Sequence, residues 1–336
     1  MKIIDACGLA CSFCHNEGTP RRCAGPLRMR LHLPPHQRRR LPAGPDRRRR
    51  RLRPGPRRRA RQPADEEVHF TGGEPTLHPN LPHLIAIARR LGLTVGLTSN
   101  GENGAAVMTD CATAGLDRIN LSVFGTTPAE LVAVQAPRLA SPKLAERKLA
   151  ALDATIEAAA TNGIKVSANI VVPDRRHVDR VLRIIERHGR AVVVRMLVSL
   201  EDDGASLEAM QAVVDHLGAV PVRRILTAGA SDQRVRYRLP DGRTLYAKSI
   251  RPVRLPETCA DCRFNNPDDC QEGYYGVRLY RAADGPFMVG VCIQRMDLCL
   301  PLGEFVMSQR CREVAAFRDD EAARLTWMHA TTEATG

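Results

Sequence analysis

No apolar run in these 336 residues approaches the roughly 18 that a membrane-spanning helix needs, which excludes a readable helical span. An export signal is missing too. Met1-Lys2-Ile3-Ile4-Asp5 runs straight into a cysteine motif, with no basic stretch followed by an apolar one. Eleven cysteines without such a signal argue for metal ligation in a reducing, cytoplasmic setting rather than for disulfides. Lysine and glutamate are absent from residues 21–61, where 17 Arg and one Asp stand instead. Finally, a fourth cysteine is missing where one would close a site: Cys7, Cys11 and Cys14 stand at C-x3-C-x2-C spacing.

The arginine stretch decides how the net charge of +13 is read. It contributes +16, which leaves −3 for the rest of the chain. Runs such as Arg47–Arg51 and Arg57–Arg59, interleaved with Pro and Gly, build neither an amphipathic helix nor a strand. The stretch could be a basic arm for nucleic acid, a solvated disordered insert, or a segment read out of frame. Arginine without lysine, among Pro, Gly and Ala, is what a GC-rich gene yields after a frame slip, and a foldable pattern resumes near Asp65. Residues 21–63 are therefore read as misread or disordered, and the charge argues for no nucleic-acid partner.

Three thiolates spaced as Cys7, Cys11 and Cys14 can hold three irons of a cubane cluster and leave the fourth iron open to a small molecule. A structural zinc site would be closed by a fourth ligand, although three close cysteines can also belong to one. A second motif, Thr71-Gly72-Gly73-Glu74-Pro75, follows the alternating run Val68-His69-Phe70. Its glycines allow close approach of backbone to a ligand, Glu74 offers a carboxylate for an amine, and Pro75 stiffens the exit. The two motifs together resemble the radical S-adenosylmethionine (SAM) superfamily.

That resemblance implies that Cys7, Cys11 and Cys14 hold a 4Fe–4S cluster whose open iron SAM chelates. One electron then splits a sulfonium C–S bond, and a 5′-deoxyadenosyl radical takes hydrogen from substrate. It also implies that Gly72, Gly73, Glu74 and Pro75 receive the methionine amino group, and that Ser99, Asn100 and Ser122 stand where relatives contact ribose or methionyl carboxylate. Ser122 reads equally well as an ordinary strand serine. Asn169 and Arg195 point to the same face if strand alternation holds. Arg195 in an apolar strand needs an anionic partner, either a ligand carboxylate or a structural ion pair.

From residue 66 strand and helix signals alternate, with strands starting near 67, 93, 118, 165 and 192 and helices near 81, 105, 141, 178 and 206. Ser141-Pro142 is a helix start by its hydroxyl and its proline. With Lys2–Asp5 as a first strand this makes six βα units and a parallel sheet. Periodicity does not separate a doubly wound sheet from a barrel; the superfamily resemblance implies an α/β partial (β/α)6 barrel over 1–218, with its site at the C-terminal strand ends. A hairpin is expected around Pro240-Asp241-Gly242.

The remaining 219–336 form a cysteine-rich extension. Cys259, Cys262, Cys270 and Cys292, spaced C-x2-C-x7-C-x21-C, suit a second iron–sulfur cluster or a structural zinc. Tyr275-Gly276-Val277-Arg278-Leu279 and Cys292-Ile293-Gln294-Arg295 resemble the C-terminal region of the GTP cyclases of molybdenum-cofactor assembly, which implies a second 4Fe–4S cluster. Cys270 departs from that three-cysteine pattern. Cys111, Cys299 and Cys311 read as buried thiols. The leading expectation is a radical SAM enzyme acting on a small anionic metabolite in cofactor or natural-product biosynthesis, with an electron donor such as flavodoxin or ferredoxin. Its rivals are a nucleoside-glucuronate radical decarboxylase, a pterin-forming GTP cyclase-like enzyme and, from another class, a zinc-bearing nucleic-acid-binding module. In the last of these the glycine–glutamate motif has no purpose.

Overall fold

The computed structural model describes residues 1–3, 7, 9, 11, 67–201, 203–281 and 287–334. Cys14, half of the expected first strand (Ile4 and Asp5) and the whole of 21–63 lie outside them. The strands and helices then follow in order: β1 (Glu67–Phe70), α1 (Leu81–Arg90), β2 (Thr94–Ser99), α2 (Gly104–Thr113), β3 (Arg118–Ser122), α3 (Pro128–Ala133), α4 (Pro142–Thr161), β4 (Lys165–Val171), α5 (Val178–His188), β5 (Val192–Leu197) and α6 (Asp203–His216). Three antiparallel strands come next, β6 (Val220–Leu226), β7 (Asp232–Arg238) and β8 (Thr244–Ile250). They precede β9 (Arg278–Arg281), β10 (Phe287–Gly290), β11 (Leu300–Pro301), α7 (Leu302–Met307) and α8 (Gln309–Ala334).

β1 to β5 pair in sequence order, all parallel, and β8, β7 and β6 extend the sheet beyond β5. At the other edge the chain start runs parallel to β1: Ile3 N donates to Thr71 O at 2.8 Å and Thr71 N to Met1 O at 2.9 Å. Five parallel strands with their helices, and the chain start at their edge, thus form an open sheet of the partial-barrel type, and among the described residues it does not close. β8 pairs with β5 from Val194–Leu245 to Leu197–Lys248. The sheet therefore crosses the expected division at residue 218.

Local chemistry accounts for these elements. Ser141 caps α4 by accepting from Leu144 N, with Pro142 in the first turn. On α5, Val181, Ile184 and Ile185 recur on one face and are buried. Buried Leu81, Ile85, Met108, Ile156, Val181 and Met210 from five helices pack on Leu97, Ile119, Leu121, Ile170 and Met196, so helices cover one face of the sheet. Each such side chain is worth about 1.5–3 kcal/mol of burial. The expected hairpin forms, with Gly242 at φ +83 in its turn and Leu239 N donating to Arg243 O at 2.9 Å.

A second core gathers Val253, Leu255, Tyr274, Val289, Val291 and Phe305, with Phe317 of α8 edge-on to Tyr274 at 6.1 Å. β6 and α8 lie outside the elements expected from sequence. β6 is an edge strand that carries Pro221 and mostly exposed side chains, so it shows no alternation. The inward positions of α8 include Glu313 and Glu321, which are buried, so no apolar stripe announces it. Among the described residues no helix is long and apolar enough to cross a membrane.

Candidate functional site at the strand ends

The turn after β1 is tied to the end of β2 by one carboxylate. Glu74 is fully buried. Its Oε1 accepts from Thr76 N (2.9 Å), Thr76 Oγ1 (2.6 Å) and Ser99 Oγ (2.7 Å), and its Oε2 accepts from Asn100 N (2.6 Å). Ser99 Oγ in turn accepts from Gly101 N at 2.9 Å. The carboxylate is committed to the chain by four donors, so it is not free for a ligand; of the two glycines before it, Gly72 is buried and Gly73 is half-buried. Pro75 opens a short 3-10 turn that Glu74 caps.

Asn100 carries this knot to the cysteine loop. Its Nδ2 donates to Cys7 Sγ at 3.4 Å, and Leu9 N donates to the same sulfur at 3.4 Å. Cys7 is exposed and Cys11 is buried. Cys11 pairs through its backbone with Gln135, whose Nε2 donates to Cys11 Sγ at 3.3 Å. Gln135 sits in the loop that lengthens the β3–β4 connection, and only that extra length hinted at a purpose for it. Two sulfurs at strand ends, each receiving an amide N–H, fit thiolate ligands of a cluster, because such hydrogen bonds stabilise sulfur-centred negative charge.

Farther along the sheet, Ser122, Asn169 and Arg195 stand side by side in one cross-strand row that continues to Tyr246 and Arg236. Their neighbours Leu121, Ala168, Ile170, Val194 and Met196 are buried among the helices, so the row lies on the opposite, polar face. Arg195 Nη1 donates to Asn120 Oδ1 at 3.1 Å. Burial, then the nearby Arg234, lowers its proton affinity. Asn169 Oδ1 is buried without a hydrogen-bond partner. His69 and Thr98, which sequence gave no reason to single out, share that face with Nε2 2.6 Å from Oγ1. A cavity of about 360 Å³ lies between the loop after β3, at Gly125 and Thr126, and the helix residues Leu149, Asp153 and Arg187.

In the extension, Cys259 N donates to Leu255 O at 3.1 Å and Cys262 N to Cys259 O at 3.3 Å, a tight turn. Burial pushes the Cys259 thiol up, and the neighbouring Cys270 and Cys292 add to the rise. Cys262 Sγ lies 3.6 Å from Arg295 Nη1, and Arg254 Nη2 donates to Cys270 O at 2.5 Å. Glu313 of α8 accepts from Glu257 N (2.7 Å), Thr258 N (2.9 Å) and Thr258 Oγ1, which pins the turn just before Cys259. Among the described residues no three His, Cys, Asp or Glu side chains are gathered closely enough to enclose a metal ion. Cys111 is a buried thiol pushed up to about 12 by its burial.

A sequence profile of the Radical SAM superfamily matches residues 1–188. The chain belongs to the radical SAM superfamily. Members of that superfamily are enzymes that use a 4Fe–4S cluster and SAM. Among curated proteins it is 33% identical over 225 residues to a PqqA peptide cyclase of Streptomyces rochei, covering 66% of this chain and 54% of that one. It is 25% identical over 274 residues to a probable GTP 3′,8-cyclase of Methanosarcina acetivorans, covering 78% and 72%. The match thus spans about half the length of the first of these relatives. Among solved structures, SuiB of Streptococcus suis bound to S-adenosylmethionine aligns over 45% of this chain and 36% of its own, at 16% identity and a TM-score of 0.33.

Proposed function

We propose that this radical SAM enzyme acts on a small anionic metabolite in cofactor or natural-product biosynthesis. In this reading Cys7, Cys11 and Cys14 hold the SAM-binding cluster, and the Gly72–Gly73 backbone, stiffened by Glu74 and Pro75, faces the methionine amino group. When bound and reduced, that cluster supplies the electron that splits the sulfonium C–S bond and leaves a carbon radical able to take hydrogen from substrate. The chain's own residues orient and shield. Glu74 locks the ends of β1 and β2, Asn100 and Gln135 direct N–H groups at Cys7 and Cys11, and Ser122 and Asn169 line the adjoining polar face.

The observation that carries the reading is the continuous link from Glu74 through Asn100 to Cys7, because it joins both sequence motifs in one hydrogen-bonded unit. Cys259, Cys262, Cys270 and Cys292 are proposed to hold a second 4Fe–4S cluster, supported by their C-x2-C-x7-C-x21-C spacing and by the tight turn that carries Cys259 and Cys262. An electron donor of the flavodoxin or ferredoxin class is proposed as the partner. The two named relatives differ in substrate, so the substrate class here rests on the basic polar face and not on them. Anaerobic reconstitution with iron and sulfide, followed by assay of 5′-deoxyadenosine formed from SAM with a strong reductant, tests the reading. Absence of cleavage with a fully loaded cluster would sink it.

A further inference from the structure

Beyond β5 the polar face becomes strongly basic. Arg195 lies opposite Tyr246 on β8, and Lys248, two residues on, lies opposite Arg234 on β7. Lys248 Nζ contacts Asp232 Oδ1 at 2.9 Å, donates to Tyr275 OH at 2.7 Å and sits 4.9 Å from the centre of that ring. Asp232 also accepts from Thr227 Oγ1 at 3.0 Å. Its one negative charge is therefore engaged by Lys248, while Arg195 and Arg234 have no carboxylate at ion-pair distance among the described residues. Among the described residues the hydrogen bond of Arg195 goes to the neutral oxygen of Asn120. Arg234 Nε and Asn169 Oδ1 are buried without hydrogen-bond partners.

Arg195 on β5 and Arg234 on β7 flank β8 on one face, both half-buried, and two like charges so placed disfavour the folded state unless an anion joins them, because Asp232, engaged by Lys248, replaces only part of the hydration they lose. A planar guanidinium pair suits a carboxylate or phosphoryl group, which accepts two parallel N–H bonds. Asn169 Oδ1 adds one acceptor beside them, suited to a hydroxyl or amine next to the anion. The methionyl end of SAM belongs at the opposite side, by Glu74 and Asn100. We infer that Arg195 and Arg234, with Lys248 and Asn169, form the subsite for the substrate's own carboxylate or phosphoryl group, a substrate that carries a hydrogen-bond donor next to that anion.

This rests on the reading of the chain as a radical SAM enzyme with a small substrate, and the test separates the two. Binding of glucuronate and of inorganic pyrophosphate to the reconstituted full-length protein is measured by calorimetry, and SAM binding by equilibrium dialysis. At least one probe should bind, and which one binds tells carboxylate from phosphoryl. Arg234→Gln should weaken it roughly tenfold, the worth of one charge-assisted hydrogen bond, and weaken SAM far less. Asp232→Asn should tighten the probe by releasing Lys248, a gain that misfolding cannot imitate. Failure of both probes, an unchanged affinity in Arg234→Gln, or an equal loss of SAM affinity would overturn the subsite. A protein that binds the probe yet never cleaves SAM keeps the subsite and loses the proposed reaction.

Discussion

The strand ends of β1 and β2 and the polar face around β5 are built on opposite principles. Around Glu74, every polar group described has a partner within the chain: four donors converge on one buried carboxylate, and Asn100 and Ser99 pass the bonding on to Cys7 and Gly101. Around Arg195, donors and acceptors are left over: Arg234 Nε and Asn169 Oδ1 are buried and unmatched, and positive charge exceeds negative. A region that satisfies itself is rigid and suits the placing of a cofactor that must sit in one geometry. A region that does not satisfy itself is completed by what it binds. Substitutions on the two sides should therefore behave differently.

The largest effect is expected at the closed end. Glu74→Ala strands the Ser99 and Thr76 hydroxyls and two backbone N–H groups in a buried place, which should cost about 3 kcal/mol or more of unfolding free energy. Denaturant titration of the reconstituted protein checks it; a loss below about 1 kcal/mol would show that the knot is slack.

Next comes Glu313, which plays in the extension the part that Glu74 plays in the barrel. Glu313→Ala should lower stability by about 2 kcal/mol and loosen the turn that carries Cys259. It should also reduce the metal retained by the extension, read as iron and zinc content after gel filtration. Unchanged metal content would separate α8 from the cysteine turn.

How much of this was legible in the sequence follows the range of the interactions. Helix starts such as Ser141-Pro142 and the faces of α5 were readable, because caps and apolar periodicity are local. The strand row Ser122–Asn169–Arg195 was readable in part, since alternation puts Asn169 and Arg195 on one face while register comes from the fold. The Glu74 knot was not readable, because its partners lie 25 and 26 residues away and a carboxylate after two glycines reads as ligand-facing. Lys248 and Tyr275 meet across 27 residues with nothing local to pair them. β6 and α8 escaped because an exposed edge strand and a helix with buried glutamates lack the apolar period that marks a strand or a helix. Cys14 and residues 21–63 lie outside the described residues, so the reading of that segment remains a proposal.

A third, smaller effect concerns pH. The Arg251 guanidinium, helped by the Gly229 N–H, holds the Glu321 carboxyl down to about 2 from an ordinary value of 4.5. A carboxyl held low stabilises the fold above its unfolded value, and the contribution is lost as pH falls through 4.5 towards 2. Wild type should thus exceed Glu321→Gln in urea midpoint at neutral pH, and the gap should narrow as pH drops below 4.5 towards 2. A gap independent of pH would assign the effect to packing.

The smallest effect is expected at the open end. Arg234→Met removes a guanidinium that repels Arg195, so stability without ligand should stay within about 0.5 kcal/mol of wild type. A loss comparable to that of Glu74→Ala would make Arg234 part of the scaffold and erase the contrast.

The most direct measurement compares wild type with the protein in which Cys7, Cys11 and Cys14 are all changed to Ala, after anaerobic reconstitution. Wild type should carry about eight irons, two four-iron clusters, and should form 5′-deoxyadenosine from SAM under strong reductant. The triple variant should form none and keep roughly half the iron, held by Cys259, Cys262, Cys270 and Cys292. If the triple variant still cleaves SAM, the closed end is not the cofactor site.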